Sequence, residues 1–204
     1  MRSSQQKEWL KGALESAPSV AFLALWQGQA GLEAAGWTGA ALAAAVLVGF
    51  RHYRVAYNPI LLGINIHLLL ATPVIVALFR LGLPDLGRTL VGHAHRGVLV
   101  TVFLVGCTLT LLSERGFIGL SGLPVAKREA YSAVLLAASA ATIVWSFVFA
   151  SRSGTLVAIA VPFMALFGLR RFLIARWHDR SHEANGFAAG AGPAFAAPPA
   201  PDAA

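Results

Sequence analysis

The residues of this chain best suited to chemistry are polar side chains inside long apolar runs. Residues 59–79 carry no charge, yet Asn65 and His67 lie near the middle of the run. Asn58, Asn65 and Thr72 recur every seven residues, so they share one face of a helix. His67 lies about 200° from Asn65 around that helix, so the two cannot serve one site. Each can bond to a neighbouring helix, or His67 can be a proton or ligand site, because intramembrane ionisable groups are costly.

A second polar stripe lies in residues 131–150. Ser132, Ser139 and Ser146 also recur every seven residues. A hydroxyl stripe either lines a polar pathway or lets two helices approach closely through small residues. The pathway interpretation requires this stripe to face the stripe of Asn58, Asn65 and Thr72.

A third group of candidate residues forms a cluster at the outer end of a predicted helix: Arg88, His93, His95 and Arg96. Two histidines separated by two positions suit a loop or strand chelate better than one helical face. Bis-histidine haem needs two imidazoles at one depth, whereas His67 lies about 18 Å inside the outer boundary by helical rise and His95 lies close to it. We therefore expect an outer cluster that contacts anions or headgroups, or a plain cluster of boundary charges, with no metal.

Motifs for catalysis are missing from the sequence. It contains no nucleophile elbow, phosphate loop, carboxylate pair or HExxH motif. No carboxylate lies within the predicted membrane spans, which disfavours carboxylate-driven proton coupling and di-metal chemistry. Cys107 is the single cysteine, so an intrachain disulfide or thiolate cluster is excluded. We expect no cofactor.

The composition indicates an integral membrane protein. Hydrophobic residues make up 57% of the chain and charged residues 12%. Ordinary soluble domains have about 45–50% apolar and about 25% charged residues. The net charge is +7, but the basic residues lie at the ends of apolar segments, where topology signals and headgroup contacts occur. The sequence therefore predicts the lipid bilayer as a partner, and no nucleic acid.

The elements that must position these side chains are membrane helices. We predict an all-α polytopic bundle of six transmembrane helices, or five if the first is re-entrant. The predicted spans are residues 18–30, 34–50, 59–79, 97–112, 131–150 and 154–173. Residues 1–17 are predicted as an amphipathic interfacial segment with Glu8, Lys11 and Glu15 on its polar face. Residues 18–175 are predicted as the transmembrane domain, and residues 181–204 as a disordered Ala/Gly/Pro-rich cytoplasmic tail.

The distribution of basic residues orients this model. With the N-terminus inside, twelve Lys or Arg residues fall on the inner side and four on the outer side. The positive-inside rule then puts both termini in the cytoplasm. The inner loop 113–129 contains apolar residues among glycines, which suggests a segment that rests on the membrane interface: Phe117, Ile118, Leu120, Leu123 and Val125.

The first part of the chain contains the segment Ala17-Pro18-Ser19-Val20-Ala21-Phe22, then a small-residue helix and the basic residues 51–54. This pattern resembles the intracellular septation protein A-like membrane proteins. The resemblance covers about the first 80 residues. It implies a multi-spanning bacterial inner-membrane protein with a role in envelope maintenance, and supplies no catalytic residues. The chain departs from that family in its sixth span and its long tail.

From these features we expect a non-enzymatic membrane protein that acts through lipids or partners in the cell envelope. Its partner would be another membrane protein or a second copy of the chain. A transporter or channel for a small solute or ion is the alternative, and a membrane enzyme acting on a lipid ranks third.

Overall fold

A computed structural model describes residues 2–28, 31–149 and 155–190 of the chain, and every regular element in these ranges is an α-helix. The helices are α1 (Arg2–Gln27), α2 (Leu32–His52), α3 (Pro59–Arg80), α4 (Pro84–Gly92), α5 (Ala94–Leu112), α6 (Val125–Phe149) and α7 (Thr155–Gly190). Four of them, α2, α3, α5 and α6, are long and apolar enough to cross a membrane. The all-helical membrane-type fold is therefore confirmed.

The helices lie side by side in nearly their sequence order, with α3 near the centre. Helix α3 packs against α1, α2 and α5, while α6 packs against α5 and α7. Short α4, which connects α3 to α5, packs against both of them. Helices α3 and α6 are thus separated by α5, and this separation decides which polar side chains can meet.

Close approach of α3 and α5 depends on two glycines. A Cβ atom on Gly63 would lie 2.7 Å from the Cα of Val102, and one on Gly97 would lie 2.9 Å from the ring of His67. Small residues are the usual means by which membrane helices approach each other. Gly63 lies four residues before His67, so both lie on the face of α3 that contacts α5.

The N-terminal segment differs from the prediction. Residues 1–17 were expected to form a separate interfacial segment, but α1 continues through Pro18 to Gln27. Pro18 is buried inside the helix, and its backbone carbonyl lies near Gly39 of α2. Burial of this proline against α2 offsets the loss of one helical hydrogen bond, which a mid-helix proline cannot donate.

The other helix boundaries shift outward from the predicted spans. Helix α6 begins six residues before the predicted span 131–150, and the predicted loop before α5 contains the additional short helix α4. Helix α7 continues to Gly190, into the segment 181–204 predicted to be disordered. Residues 191–204 lie outside the described residues, as do residues 29–30 of the first predicted span.

The core of the bundle lies at the end where the loop between α5 and α6 enters it. Its fully or nearly fully buried members are Ile60, Val102, Phe117, Ile118, Leu135, Leu166 and Leu173. Phe117 and Ile118 come from the loop itself, so the expectation that this loop rests on the interface is wrong. The loop is inserted because Gly106 of α5 leaves space for the Phe117 ring, which would lie 2.9 Å from an added Cβ.

Candidate functional site

A buried carboxylate lies where α1 meets the beginning of α3. The Glu15 side chain is only 3% exposed. Its Oε1 accepts a hydrogen bond of 2.9 Å from the backbone N–H of Asn58, and its backbone carbonyl accepts one of 3.2 Å from Nδ2 of Asn65. A negative charge is favourable at a helix N-terminus because the first N–H groups have no partner within the helix. Glu15 therefore caps α3, and its predicted place on a headgroup-facing surface is wrong.

Asn58 completes this cap. Its side-chain Oδ1 accepts a hydrogen bond of 3.2 Å from the backbone N–H of Ile60, which is the usual role of asparagine at an N-cap. Pro59 follows in the first helical position, where a missing N–H has no cost. The first turn of α3 is thus held by two polar side chains from two parts of the chain.

Arg170 of α7 joins this cluster from the opposite side. Its Nε donates a hydrogen bond of 3.0 Å to the carbonyl of Ile118, and its guanidinium interacts electrostatically with the Glu15 carboxylate. The other side of the loop is held by Ser132, whose Oγ accepts from the Ile118 N–H at 3.4 Å. Arg170 therefore holds the inserted loop against α7.

The loop can enter the bundle because glycines shape its turns. Gly116 and Gly119 have φ angles of 59° and 71°, a left-handed conformation that side chains with a Cβ rarely adopt. A Cβ on Gly119 would also lie 2.8 Å from the ring of Pro59. The glycines that suggested a surface segment are instead needed for a buried one.

Tyr57 lies beside this cluster, in the connection between α2 and α3. Its hydroxyl donates a hydrogen bond to the backbone carbonyl of Leu47. Burial raises the pKa of Tyr57 above its ordinary value, and the nearby Glu15 carboxylate acts in the same direction, while Arg51 opposes it. The phenol is thus held in its neutral, hydrogen-bonding form.

The stripe of Asn58, Asn65 and Thr72 faces α1 and α2. Thr72 donates a hydrogen bond of 3.3 Å to the backbone carbonyl of Gly36 in α2, and Asn65 bonds to α1 as described above. The Oδ1 atom of Asn65 is buried and has no hydrogen-bond partner. This stripe holds three helices together.

His67 contacts a different helix from Asn65, as their angular separation predicted. Its Nδ1 lies 3.1 Å from Oγ1 of Thr101 in α5. The Thr101 hydroxyl donates its own hydrogen to the carbonyl of Gly97 at 2.9 Å. Since a hydroxyl has one hydrogen to donate, Oγ1 accepts from His67, which places a proton on Nδ1.

The serine stripe of α6 is buried on the side that packs against α5 and α7. Ser132, Ser139 and Ser146 are at most 1% exposed. Ser146 donates to the carbonyl of Ile143 at 2.7 Å within its own helix, and the Ser139 hydroxyl oxygen has no partner. Because α5 separates α3 from α6, the structure does not bring this stripe together with Asn58, Asn65 and Thr72.

The outer cluster consists of separate pairs. Arg88 forms an exposed ion pair of 3.1 Å with Asp85, and Nδ1 of His93 donates to the carbonyl of Thr89 at 2.8 Å. The guanidinium of Arg96 lies 4.6 Å from the centre of the Phe147 ring. Two atoms here, Nε2 of His95 and Nε of Arg96, are buried and have no hydrogen-bond partner among the residues that the structure describes. Within the described ranges no group of three or more His, Cys, Asp or Glu residues is arranged for a metal ion.

An apolar groove runs between α6 and α7. It encloses about 390 Å³ and is lined by Ala138, Ala141, Thr142, Trp145, Val161, Pro162, Ala165, Leu166 and Leu169. Leu166 and Pro162 form its buried floor, whereas Ala141, Trp145 and Ala165 are exposed along its edges. The groove is therefore open to the hydrocarbon that would surround a membrane-embedded bundle, and its volume is in the range of about 300–1,000 Å³ that is typical of ligand pockets.

Three features were missed from the sequence alone: Glu15, Arg170 and the groove. A signal for Glu15 was present, since it lies three residues before Pro18 and so shares its face of α1. That signal requires the two predicted segments to be read as one helix. No protein-family model matches this chain, and no curated protein or solved structure is significantly similar to it.

Proposed function

We propose that this chain is a bacterial inner-membrane protein of six spans, with both termini in the cytoplasm, that acts without catalysis by holding a lipid or membrane-protein partner in the cell envelope. The two additional spans are the predicted spans 18–30 and 154–173, of which α1 contains residues 18–27 and α7 contains residues 155–173. The twelve-to-four distribution of basic residues supports the orientation. The resemblance of the first 80 residues to septation protein A-like proteins supports the envelope role.

The observation that carries this proposal is the groove between α6 and α7. Its lining is almost entirely apolar, and its edges are open at Trp145 and Ala165. A soluble substrate would find few polar partners in such a groove, whereas an acyl chain or an apolar helix face would fill it. The polar side chains of α3, by contrast, bond to neighbouring helices: Asn65 to α1, Thr72 to α2 and His67 to α5.

Photo-crosslinking in living cells tests the proposal. A photoreactive amino acid replaces Ala165 in the groove or, as the matched control, Ala160 on the opposite side of α7; both positions are exposed. We expect a discrete lipid or protein adduct at position 165 that exceeds the product at position 160. Equal, diffuse labelling at both positions would contradict the proposal.

A transporter remains the second candidate because of Glu15. A buried carboxylate beside the unpartnered Oδ1 group of Asn65 is an arrangement that can take up a proton or cation. This function requires a hydrated path from both sides of the membrane to the Glu15 cluster. A measurement of whether water reaches the buried side chains between the helices therefore distinguishes a transporter from a protein that holds a partner in the groove.

A further inference from the structure

One end of the groove between α6 and α7 carries basic residues. Lys127 lies eleven residues before Ala138, about three helical turns, and therefore on the same face of α6. Arg176 lies seven residues after Leu169, nearly two turns, and on the same face of α7. Both side chains are exposed. The end of the groove near the start of α6 therefore carries two positive charges.

A direct contact places Lys127 at the junction of the two helices. Its Nζ lies 4.8 Å from the centre of the Trp177 ring in α7. A tryptophan beside a lysine is typical of the membrane–water boundary, where the ring lies at headgroup level. This contact fixes the headgroup end of the groove.

The path between the basic end and the groove is apolar. Val134 of α6 and Phe172 of α7 lie between them on the groove-facing sides, and they are 45% and 58% exposed. Glu129 is nine residues before Ala138 and therefore on the opposite side of α6. An elongated apolar surface thus leads from two cations to an open groove.

We propose that the groove between α6 and α7 binds an anionic phospholipid, with one acyl chain against Leu166 and Leu169 and the phosphate near Lys127 and Arg176. This inference rests on the proposed function and names its ligand class. The apolar groove matches the chain, and the two cations match the headgroup. A zwitterionic lipid would fill the same groove without the net charge that the basic end favours.

Lipid selectivity can be measured by native mass spectrometry of the full chain released from nanodiscs of equimolar phosphatidylglycerol and phosphatidylethanolamine. We expect the wild-type protein to retain phosphatidylglycerol preferentially. Each of Lys127→Gln and Arg176→Gln should lower this preference by about fivefold, since a basic residue near an anionic surface contributes roughly that factor. Arg171→Gln is the matched control, because Arg171 is exposed on the far side of α7 and should leave the preference unchanged.

A second pair of variants tests the acyl-chain site. Ala165→Phe fills the groove and should reduce the retention of both lipids, whereas Ala160→Phe should not. If Ala165→Phe fails to fold, Ala141→Phe blocks the groove from α6 instead.

Equal retention of the two lipids by the wild-type protein, or an equal effect of Arg171→Gln, would overturn the inference. If a protein adduct still forms at position 165 in the photo-crosslinking experiment, the proposed function is supported and only the assignment of a lipid ligand is wrong. Equal, diffuse labelling at positions 165 and 160 would contradict both the proposed function and the lipid assignment.

Discussion

Replacement of Glu15 by alanine should be among the most destabilising changes at a charged position in this protein. The substitution leaves the Asn58 N–H without its acceptor and leaves Arg170 without a nearby negative charge. A hydrogen bond to a charged group contributes about 1.5–3 kcal/mol, and a buried donor left without a partner costs about 1–3 kcal/mol. The two effects overlap, so we expect the free energy of unfolding to fall by about 3–4 kcal/mol.

Glu15→Gln should be milder, because an amide oxygen can still accept from Asn58. We expect the free energy of unfolding to fall by about 1–3 kcal/mol, because the hydrogen bond from Asn58 then ends on an uncharged oxygen. The assay is unfolding of the purified protein in mixed micelles with increasing denaturing detergent. This variant also provides a measurement if Glu15→Ala does not accumulate.

Glu33→Ala is the matched control. Glu33 pairs with Arg80 at 3.6 Å, and the two side chains are 62% and 77% exposed. Such an exposed pair contributes about 0–1 kcal/mol. If Glu15→Ala costs no more than Glu33→Ala, Glu15 lies at the headgroups and the capping role assigned to it is incorrect.

Three further changes have defined outcomes. Gly63→Ala should destabilise the bundle by about 1–3 kcal/mol, because the added Cβ would lie 2.7 Å from the backbone of α5. Gly49→Ala is the control, since its Cβ would have no neighbouring atom within 4 Å, and it should be neutral or slightly stabilising. Unfolding in denaturing detergent measures the stability of both variants. His67→Leu and Thr101→Val should each cost about 1 kcal/mol, and their double variant should cost less than the sum, since they remove one bond; additive losses would mean that the bond is absent. The Tyr57 hydroxyl should stabilise the protein relative to Tyr57→Phe by an amount that is constant below about pH 10. This stability difference should disappear as the pH rises through the raised pKa of the buried phenol. A stability difference that grows with pH would refute this prediction.

The membrane-helix architecture could be predicted because it depends on local hydropathy and length. The run 59–79 matches α3 almost residue for residue, since Asn58 and Pro59 give the usual signals for a helix start. The angular separation of Asn65 and His67 was also correct, because it follows from helix geometry alone. Their partners could not be predicted, since these depend on which helices are neighbours.

The errors have one physical origin, which is that burial depends on tertiary contacts. Glu15 looks like a surface residue in a polar segment, and its hydrogen bond to Asn58, 43 residues further along the chain, makes its burial favourable. Phe117 and Ile118 lie in a glycine-rich loop whose insertion depends on the space above Gly106. The groove is formed by two helices that are each ordinary in sequence.

Water accessibility of the helix interior tests the central claim most directly. Single cysteines replace Thr72, Ser139 or Ser146 in a Cys107→Ala background, and a membrane-impermeant thiol reagent is added from either side. A cysteine at the exposed position Ser121 is the positive control. A bundle that acts through the groove between α6 and α7 should leave the three interior thiols unlabelled while Ser121→Cys reacts. Labelling of the interior positions from both sides of the membrane would show a continuous aqueous path and contradict this account.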